Sequence, residues 1–201
     1  MPRPNRTTER RRQLLPIVAH AFAELGYRGA TTAELARRCG VRENILYRLW
    51  PDKKAMFIAA IGHVYNLSVQ IWGRLLDQAD ASRTAAERLL AYEAQHHGEF
   101  GHYRIVFAGL SETDDPQVRV ALARMYRRFQ RFVREQIAAH RRAAKQRGLP
   151  DAALTAWAVV GLGTVSNIAR ELRLVSEAQR RRLFAQVGRT LLEGRPRPAR
   201  L

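Results

Sequence analysis

Between Arg42 and Arg48 the chain places two guanidiniums, a carboxylate, a carboxamide and a phenol (Arg42, Glu43, Asn44, Tyr47, Arg48) around the apolar pair Ile45 and Leu46. That set suits recognition of a nucleic-acid duplex better than catalysis. Arg matches guanine edges or phosphates, Asn matches the adenine edge, and a phenol can donate to a phosphate oxygen. If Val41, Leu46 and Leu49 plug the cleft between two helices, the five polar positions face outward. Elsewhere the chemistry is sparse. There is no glycine-rich phosphate loop and no activated nucleophile, and the lone cysteine, Cys39, reads as helix packing. His96, His97 and His102 lack the spacing and carboxylate support of a metal site. The expectation is a protein that is not an enzyme and that needs no cofactor or metal.

Such a face needs a frame, and the flanking residues describe one. Strand signals are nearly absent, whereas apolar residues recur at spacings of three and four throughout. Leu14, Val18, Ala21, Phe22 and Leu25 mark a first helix that Gly26 closes. Pro16 predicts that this helix starts near Leu15 or is kinked there. Thr31 and Glu34 form a capping box for a second helix that runs to Cys39. Gly40 turns the chain, and a third helix covers about Arg42 to Leu49. Ala36 is small where two helices joined by so tight a turn must cross.

Residues 10–58, RRRQLLPIVAHAFAELGYRGATTAELARRCGVRENILYRLWPDKKAMFI, resemble the N-terminal DNA-binding domain of the TetR family of transcriptional regulators. Phe22, Gly26, Tyr27, Thr31, Glu34, Leu35, Ala36, Gly40, Val41, Leu46, Tyr47, Trp50 and Lys53 carry the likeness. It implies phosphate contacts from Thr31, Tyr47 and Lys53, and major-groove contacts from Arg42, Glu43, Asn44 and Arg48. This chain departs from the family pattern at the third helix, with Arg42 where a Ser cap is usual, then Asn44 and Ile45 for Gly and Thr. A helix cap worth about 1 kcal/mol is therefore expected to be missing. The basic arm, Arg3, Arg6 and Arg10 to Arg12, has two readings, phosphate contact or a frayed end.

The expected fold is all-α with about nine helices: a three-helix helix-turn-helix domain over residues 1–54, then a larger helical ligand-binding and dimerisation domain over 55–201. The later helices are expected at about Lys53–Leu76, Thr84–His97, Tyr103–Leu110, Asp115–Arg147, Ala152–Leu174 and, after a Ser176/Gln179 capping box, to Glu193. GRPRPARL reads as a frayed tail. The segment LTAWAVVGLGTVSNIA (154–169) is apolar on most sides, yet too short and polar for a span of about 20 residues. It predicts a helix buried in its own domain and against a second copy, with Ala156, Val160, Gly161, Thr164, Phe184, Val187 and Leu191 at the interface; a central helix in a monomer is the alternative. Candidate effector contacts are Asn66, Gln70, Tyr92, His96, Tyr103, Phe107, Tyr126, Phe129 and Trp157, since small effectors sit in apolar cavities with a few polar anchors. The row Arg124, Arg127, Arg128, Arg131 and Arg134 reads as a solvated face, or as a site for RNA or an acidic effector.

The 35 Lys and Arg exceed the 18 Asp and Glu by 17. Up to Lys54 the count is 12 basic against 5 acidic, so the excess is densest where the reading face lies. That excess predicts attraction to polyanions. Genome composition is the plainer source, since almost all the cations are Arg. A lone cysteine and a polar basic N-terminus predict a cytoplasmic protein with no membrane partner. The combined expectation is a homodimeric, ligand-responsive repressor on a palindromic double-stranded DNA operator, answering a small-molecule effector. An effector-independent, nucleoid-type architectural protein is the alternative.

Overall fold

The computed structural model describes residues 6–77, 82–146 and 148–194. Among them are nine helices and no strand. They are α1 (Arg6–Gly29), α2 (Thr32–Arg38), α3 (Glu43–Leu49), α4 (Lys53–Leu76), α5 (Ala85–His96), α6 (Tyr103–Leu110), α7 (Pro116–Ala143), α8 (Ala152–Glu171) and α9 (Glu177–Glu193). Arg3, Arg147 and the tail beyond Gly194 lie outside the described residues.

Helix ends follow the expected chemistry. Thr84 and Glu87 form a reciprocal capping box at α5, and Ser176 and Gln179 another at α9. The Asp115 carboxylate accepts from the backbone N–H groups of Gln117 and Val118, and Asp151 caps α8 in the same way. The first helix departs from expectation. It begins at Arg6 and passes through Pro16, and its one non-helical residue is Gly26, at φ 69°. Side-chain bonds across the early turns, Arg12 and Gln13 to Glu9 and Arg10 to Gln13, support a start that proline alone would discourage.

The chain forms two compact units, Met1–Ser68 with Phe100–Met125 and Val69–Glu99 with Tyr126–Leu201. Residues of α4 and α7 contribute to both. In the first unit Val18, Phe22, Leu35, Leu46, Phe57, Ile61 and Ile105 are fully buried, each worth roughly 1.5–3 kcal/mol of transfer free energy. Phe22 meets Phe57 edge-on at 5.0 Å, and Tyr27 lies 4.8 Å from the same ring. Helix α6 packs on α1. Ion pairs Arg28–Glu112 (2.8 Å) and Lys54–Asp115 (2.9 Å) fasten the segment between α6 and α7 to the N-terminal helices.

In the second unit α9 packs on α5 and α8, around Ala86, Ile137, Ala156 and Leu192. Trp72 stacks on Phe132 at 4.9 Å and donates its indole N–H to Glu93 at 2.7 Å. The other Glu93 oxygen faces His97 Nδ1 at 2.7 Å, and His97 Nε2 faces the Gly163 carbonyl at 2.9 Å. A methyl group on Gly163 would stand 3.0 Å from the His97 ring, so a larger residue there would require the ring to give by a few tenths of an ångström. Helices α4 and α8 are each long and apolar enough, by length and composition, to cross a bilayer. This corrects the reading of α8 as too short. Each nevertheless lays its buried face into protein: Met56, Phe57 and Ile61 from α4, Ala156, Ser166 and Asn167 from α8.

Candidate nucleic-acid interface

The site is built on α2, the turn after it, and α3. Thr31 opens α2 in extended backbone, and its hydroxyl oxygen accepts from Glu34 N–H at 3.1 Å. The expected return bond from Glu34 is replaced, because that carboxylate faces Arg37 (2.6 Å) and Arg38 (2.8 Å). Gly40 ends the helix at φ 63°. Its N–H reaches the Arg37 carbonyl and that of Val41 the Ala36 carbonyl, the paired bonds of a Schellman turn. A side chain at Gly40 would meet no neighbour, so the constraint there is backbone conformation alone.

Leu46, Leu49 and Trp50 from α3 are buried, as are Leu35, Ala36 and Cys39 from α2. Burial pushes the Cys39 thiol above its ordinary range, which keeps it an inert packing group. With that face fixed, Arg42, Glu43, Asn44, Tyr47 and Arg48 are all exposed, Tyr47 to 48%. Arg42 stands at the N-cap with no side-chain bond to the helix, so the expected cap is absent and the guanidinium is left outward. Tyr47 Oη donates to Thr32 Oγ1 at 3.2 Å, holding the phenol against the start of α2. Thr31 is exposed beside it, its hydroxyl hydrogen still able to donate.

Lys53 opens α4 and gives one N–H to the Tyr27 carbonyl (3.0 Å), with its charge 4.5 Å from the Tyr27 ring centroid. Two ammonium donors remain. Burial and the carboxylates of Asp115 and Asp52 raise the Tyr27 phenol above its usual range, so it stays neutral beneath that lysine. In the basic arm, Arg11 binds the Leu49 carbonyl and lies over the Trp50 ring, which pins the end of α3 to α1. Arg6, Arg10 and Arg12 are exposed.

A carboxylate network stiffens the frame, and motif reading did not anticipate it. Arg38 bridges Glu34 and Glu24, and His20 lies 3.1 Å from Glu24. Arg37 and Arg38 hold the Glu34 carboxyl down to about 2. Because that value lies below the unfolded one, the contribution of Glu34 with Arg37 and Arg38 is present above the ordinary carboxylate range and is lost as pH falls toward 2. The charge pattern on α2 is therefore constant across the physiological range. The only clue in sequence was i, i+3 and i, i+4 spacing within ELARR; the Glu24 partner required the tertiary fold.

The candidate effector residues divide between the units. Asn66, Tyr103 and Phe107 belong to the first, and Gln70, Tyr92, His96, Tyr126, Phe129 and Trp157 to the second. Tyr103 packs edge-on to Phe107 at 5.5 Å, Tyr92 lies over His96 at 4.5 Å, and Phe129 meets Trp72 at 5.7 Å. Trp72 and Phe132 complete that last aromatic cluster and were passed over in the sequence, where they sit among ordinary helical apolar positions. A groove of about 370 Å³ is lined by Arg134, Glu135, Ala138, Arg142, Asp151, Ala152 and Ala153, of which only Arg134 belongs to the arginine row expected from the sequence. Among the candidate dimer residues, Ala156 and Phe184 are buried within the second unit, Phe184 against His97. Val160, Thr164 and Leu191 are half-buried, and Gly161 and Val187 are exposed. Leu154, Trp157, Val165 and Ile168 are also exposed and continue the Gly161 side of α8.

Residues 19–60 match the family described as bacterial regulatory proteins, tetR family. The nucleoid occlusion factor SlmA of Haemophilus influenzae is 46% identical over 57 residues, covering 28% of this chain and 26% of SlmA. The HTH-type transcriptional activator FasR of Mycolicibacterium smegmatis is 32% identical over 114 residues, 55% of this chain and 50% of FasR. The chain thus spans from about a quarter to half the length of these curated relatives. A TetR-family transcriptional regulator from Cytophaga hutchinsonii superposes with a TM-score of 0.77 at 17% identity, over 96% of this chain and 98% of that one. At that identity the likeness is one of fold.

Proposed function

We propose that this chain, whose residues 19–60 form a DNA-binding domain of the tetR family, is a homodimeric transcriptional regulator that represses from a palindromic operator and releases it when a small effector binds. The observation that carries the reading is the outward row Arg42, Glu43, Asn44, Tyr47 and Arg48 on a helix locked from behind by Leu46, Leu49 and Trp50. Asn44 and Arg48 read base edges, Arg42 and Glu43 meet the groove or its rim, and Thr31, Tyr47 and Lys53 bind phosphates. Residues 1–54 are the reading domain and 55–201 the regulatory one.

Dimerisation through α8 and α9 supplies the second reading helix that a two-fold operator requires. The exposed apolar side of α8, with Val187 on α9, supports it. The effector is held in the regulatory domain; the Tyr92–His96 pair and the Trp72–Phe129–Phe132 cluster support an aromatic-walled site that also uses Gln70, Tyr126 and Trp157. Helix α4, which starts at the reading domain and ends in the second unit, carries the response, a coupling of about 1–3 kcal/mol. Such a protein acts in the cytoplasm, at the nucleoid, with no enzymatic step.

Selection of genomic fragments by the purified protein at moderate salt tests this. A shared palindrome is the expected result. Enrichment without any common site favours the second reading, an effector-independent nucleoid protein, which the likeness to nucleoid occlusion factors and the +17 charge support.

A further inference from the structure

Outside the reading domain, the second unit carries a strongly basic face. From Arg127 to Arg142, helix α7 exposes Arg127, Arg128, Arg131, Arg134 and Arg142. At 100° per residue these five fall within about 120° of the circumference and extend roughly 22 Å along the axis. The same arc otherwise holds Glu135 and Ala138, so five arginines against one glutamate leave a net +4. Elsewhere on the described surface some exposed arginines are paired, Arg12 with Glu9, Arg28 with Glu112, Arg37 with Glu34 and Arg181 with Glu177, while Arg74, Arg119 and Arg189 are exposed without such a pair. Arg127, Arg131, Arg134 and Arg142 make no ion pair among the described residues. What sets α7 apart is the gathering of five exposed arginines on one arc of one helix.

We infer that this face is a second DNA-contacting surface, which binds the phosphodiester backbone of duplex DNA without regard to sequence. The inference rests on the DNA-binding reading above and extends it to a helix outside the helix-turn-helix. Three properties select a phosphate polymer. The arc carries no side chain more apolar than Ala138, so it lacks the buried anchor on which protein interfaces depend. For the same reason it has nothing to insert into a bilayer. Arg127, Arg131 and Arg134 rise by about 4.5–6 Å per step and Arg142 follows about 12 Å further on, enough for each to meet a separate phosphate, and the planar fork matches phosphate oxygens in pairs. A linear row suits a linear polyanion better than a compact acidic ligand, which would engage one or two of its members.

The test is a salt titration of binding to a labelled 30-base-pair duplex of random sequence. Three forms of the full chain are compared with the unaltered protein. The first carries R127Q, R131Q, R134Q and R142Q. The second is a charge-matched control, R74Q, R83Q, R119Q and R173Q, at exposed positions off this arc. The third replaces the same four α7 arginines with Lys. Gln and Lys have helix propensities close to Arg, and circular dichroism checks that all forms stay folded. The α7 Gln variant is expected to bind at least tenfold more weakly near 0.1 M salt, with the slope of log K against log salt shallower by about 2–4. The Lys form should keep the slope, and the control should lose no more than about a quarter as much. Equal losses in control and α7 variants overturn the surface by reducing it to net charge. An unchanged slope in the Gln variant overturns it as well, as does a loss confined to phosphatidylglycerol vesicles or an acidic peptide with duplex binding intact. If the unaltered protein binds no duplex, the DNA-binding reading falls and the surface falls with it; retained duplex binding with an unchanged slope removes the surface alone.

Discussion

Helices α3 and α8 have the same plan and opposite free faces. Each buries one side in its own unit, Leu46 and Leu49 in the one case, Thr155, Ala156, Gly163, Ser166, Asn167 and Ala169 in the other. Each leaves the other side to solvent. On α3 that side is Arg, Glu, Asn and Tyr; on α8 it is Leu154, Trp157, Val165 and Ile168. The buried half secures the helix, and the free half carries the partner proposed for it: a hydrated polyanion for α3, another apolar surface for α8. The comparison makes separable claims, because changes on a buried face should cost stability while changes on a free face should cost association.

The largest expected effect comes from crossing to the buried side of α3. Leu46→Ala removes a side chain with no exposure, and should cost about 2–5 kcal/mol in chemical denaturation, abolishing DNA binding with it. Against a typical total of about 5–15 kcal/mol this is severe. A loss below about 1 kcal/mol would mean that α3 is not anchored as described. On the free side of α8 the pattern should reverse. Val165→Asp alters a residue that is 56% exposed, so denaturation of the protomer should hardly change. The proposed dimer, followed by sedimentation velocity, should weaken by at least about 30-fold, the scale of an interface hot spot. An unaltered dimer would assign the apolar side of α8 to some other partner. Asn44→Ala comes next: about 1–3 kcal/mol of operator affinity lost, discrimination relaxed at one base position and the thermal midpoint unchanged. A drop in midpoint of the size seen for Leu46→Ala would erase the distinction between the two faces.

The two helices also differ in how far sequence alone disclosed them. The helix-turn-helix is a local object. Thr31, Ala36, Gly40 and Leu46 lie within sixteen residues, and each is demanded by a cap, a close crossing, a left-handed turn or a plug, so spacing alone placed the outward row. The bounds of α4 and α6 emerged from the same signals. On α8 apolar residues occur on all sides, and nothing local says which side faces its own unit. Ala156 was placed at the interface and is buried in the second unit, while Leu154 and Val165, not singled out, are exposed. Glu93, His97 and Gly163 converge from distant segments, and so do Arg38 and Glu24. Pro16 was misleading because a helix-breaking residue was weighed without the Glu9 and Arg11 contacts that secure the turns before it.

The smallest effect is the most exacting test of the free face of α3. Arg42 occupies the N-cap in extended backbone, φ −78° and ψ 152°, and makes no side-chain bond there. A serine in that position would accept from an orphan N–H of the first turn, so Arg42→Ser should raise stability by about 0.5–1 kcal/mol in denaturant. The chain forgoes that gain, which is consistent with a guanidinium needed at the groove. Operator affinity should therefore fall in the same variant, and the slope of log K against log salt should lose about 0.9 if Arg42 meets a phosphate. Higher stability with weaker, less salt-sensitive binding would show the two halves of α3 under opposing demands at a single residue. Higher stability with affinity intact would leave Arg42 as a missing cap with no role at the DNA, and would narrow the reading face to Glu43, Asn44, Tyr47 and Arg48.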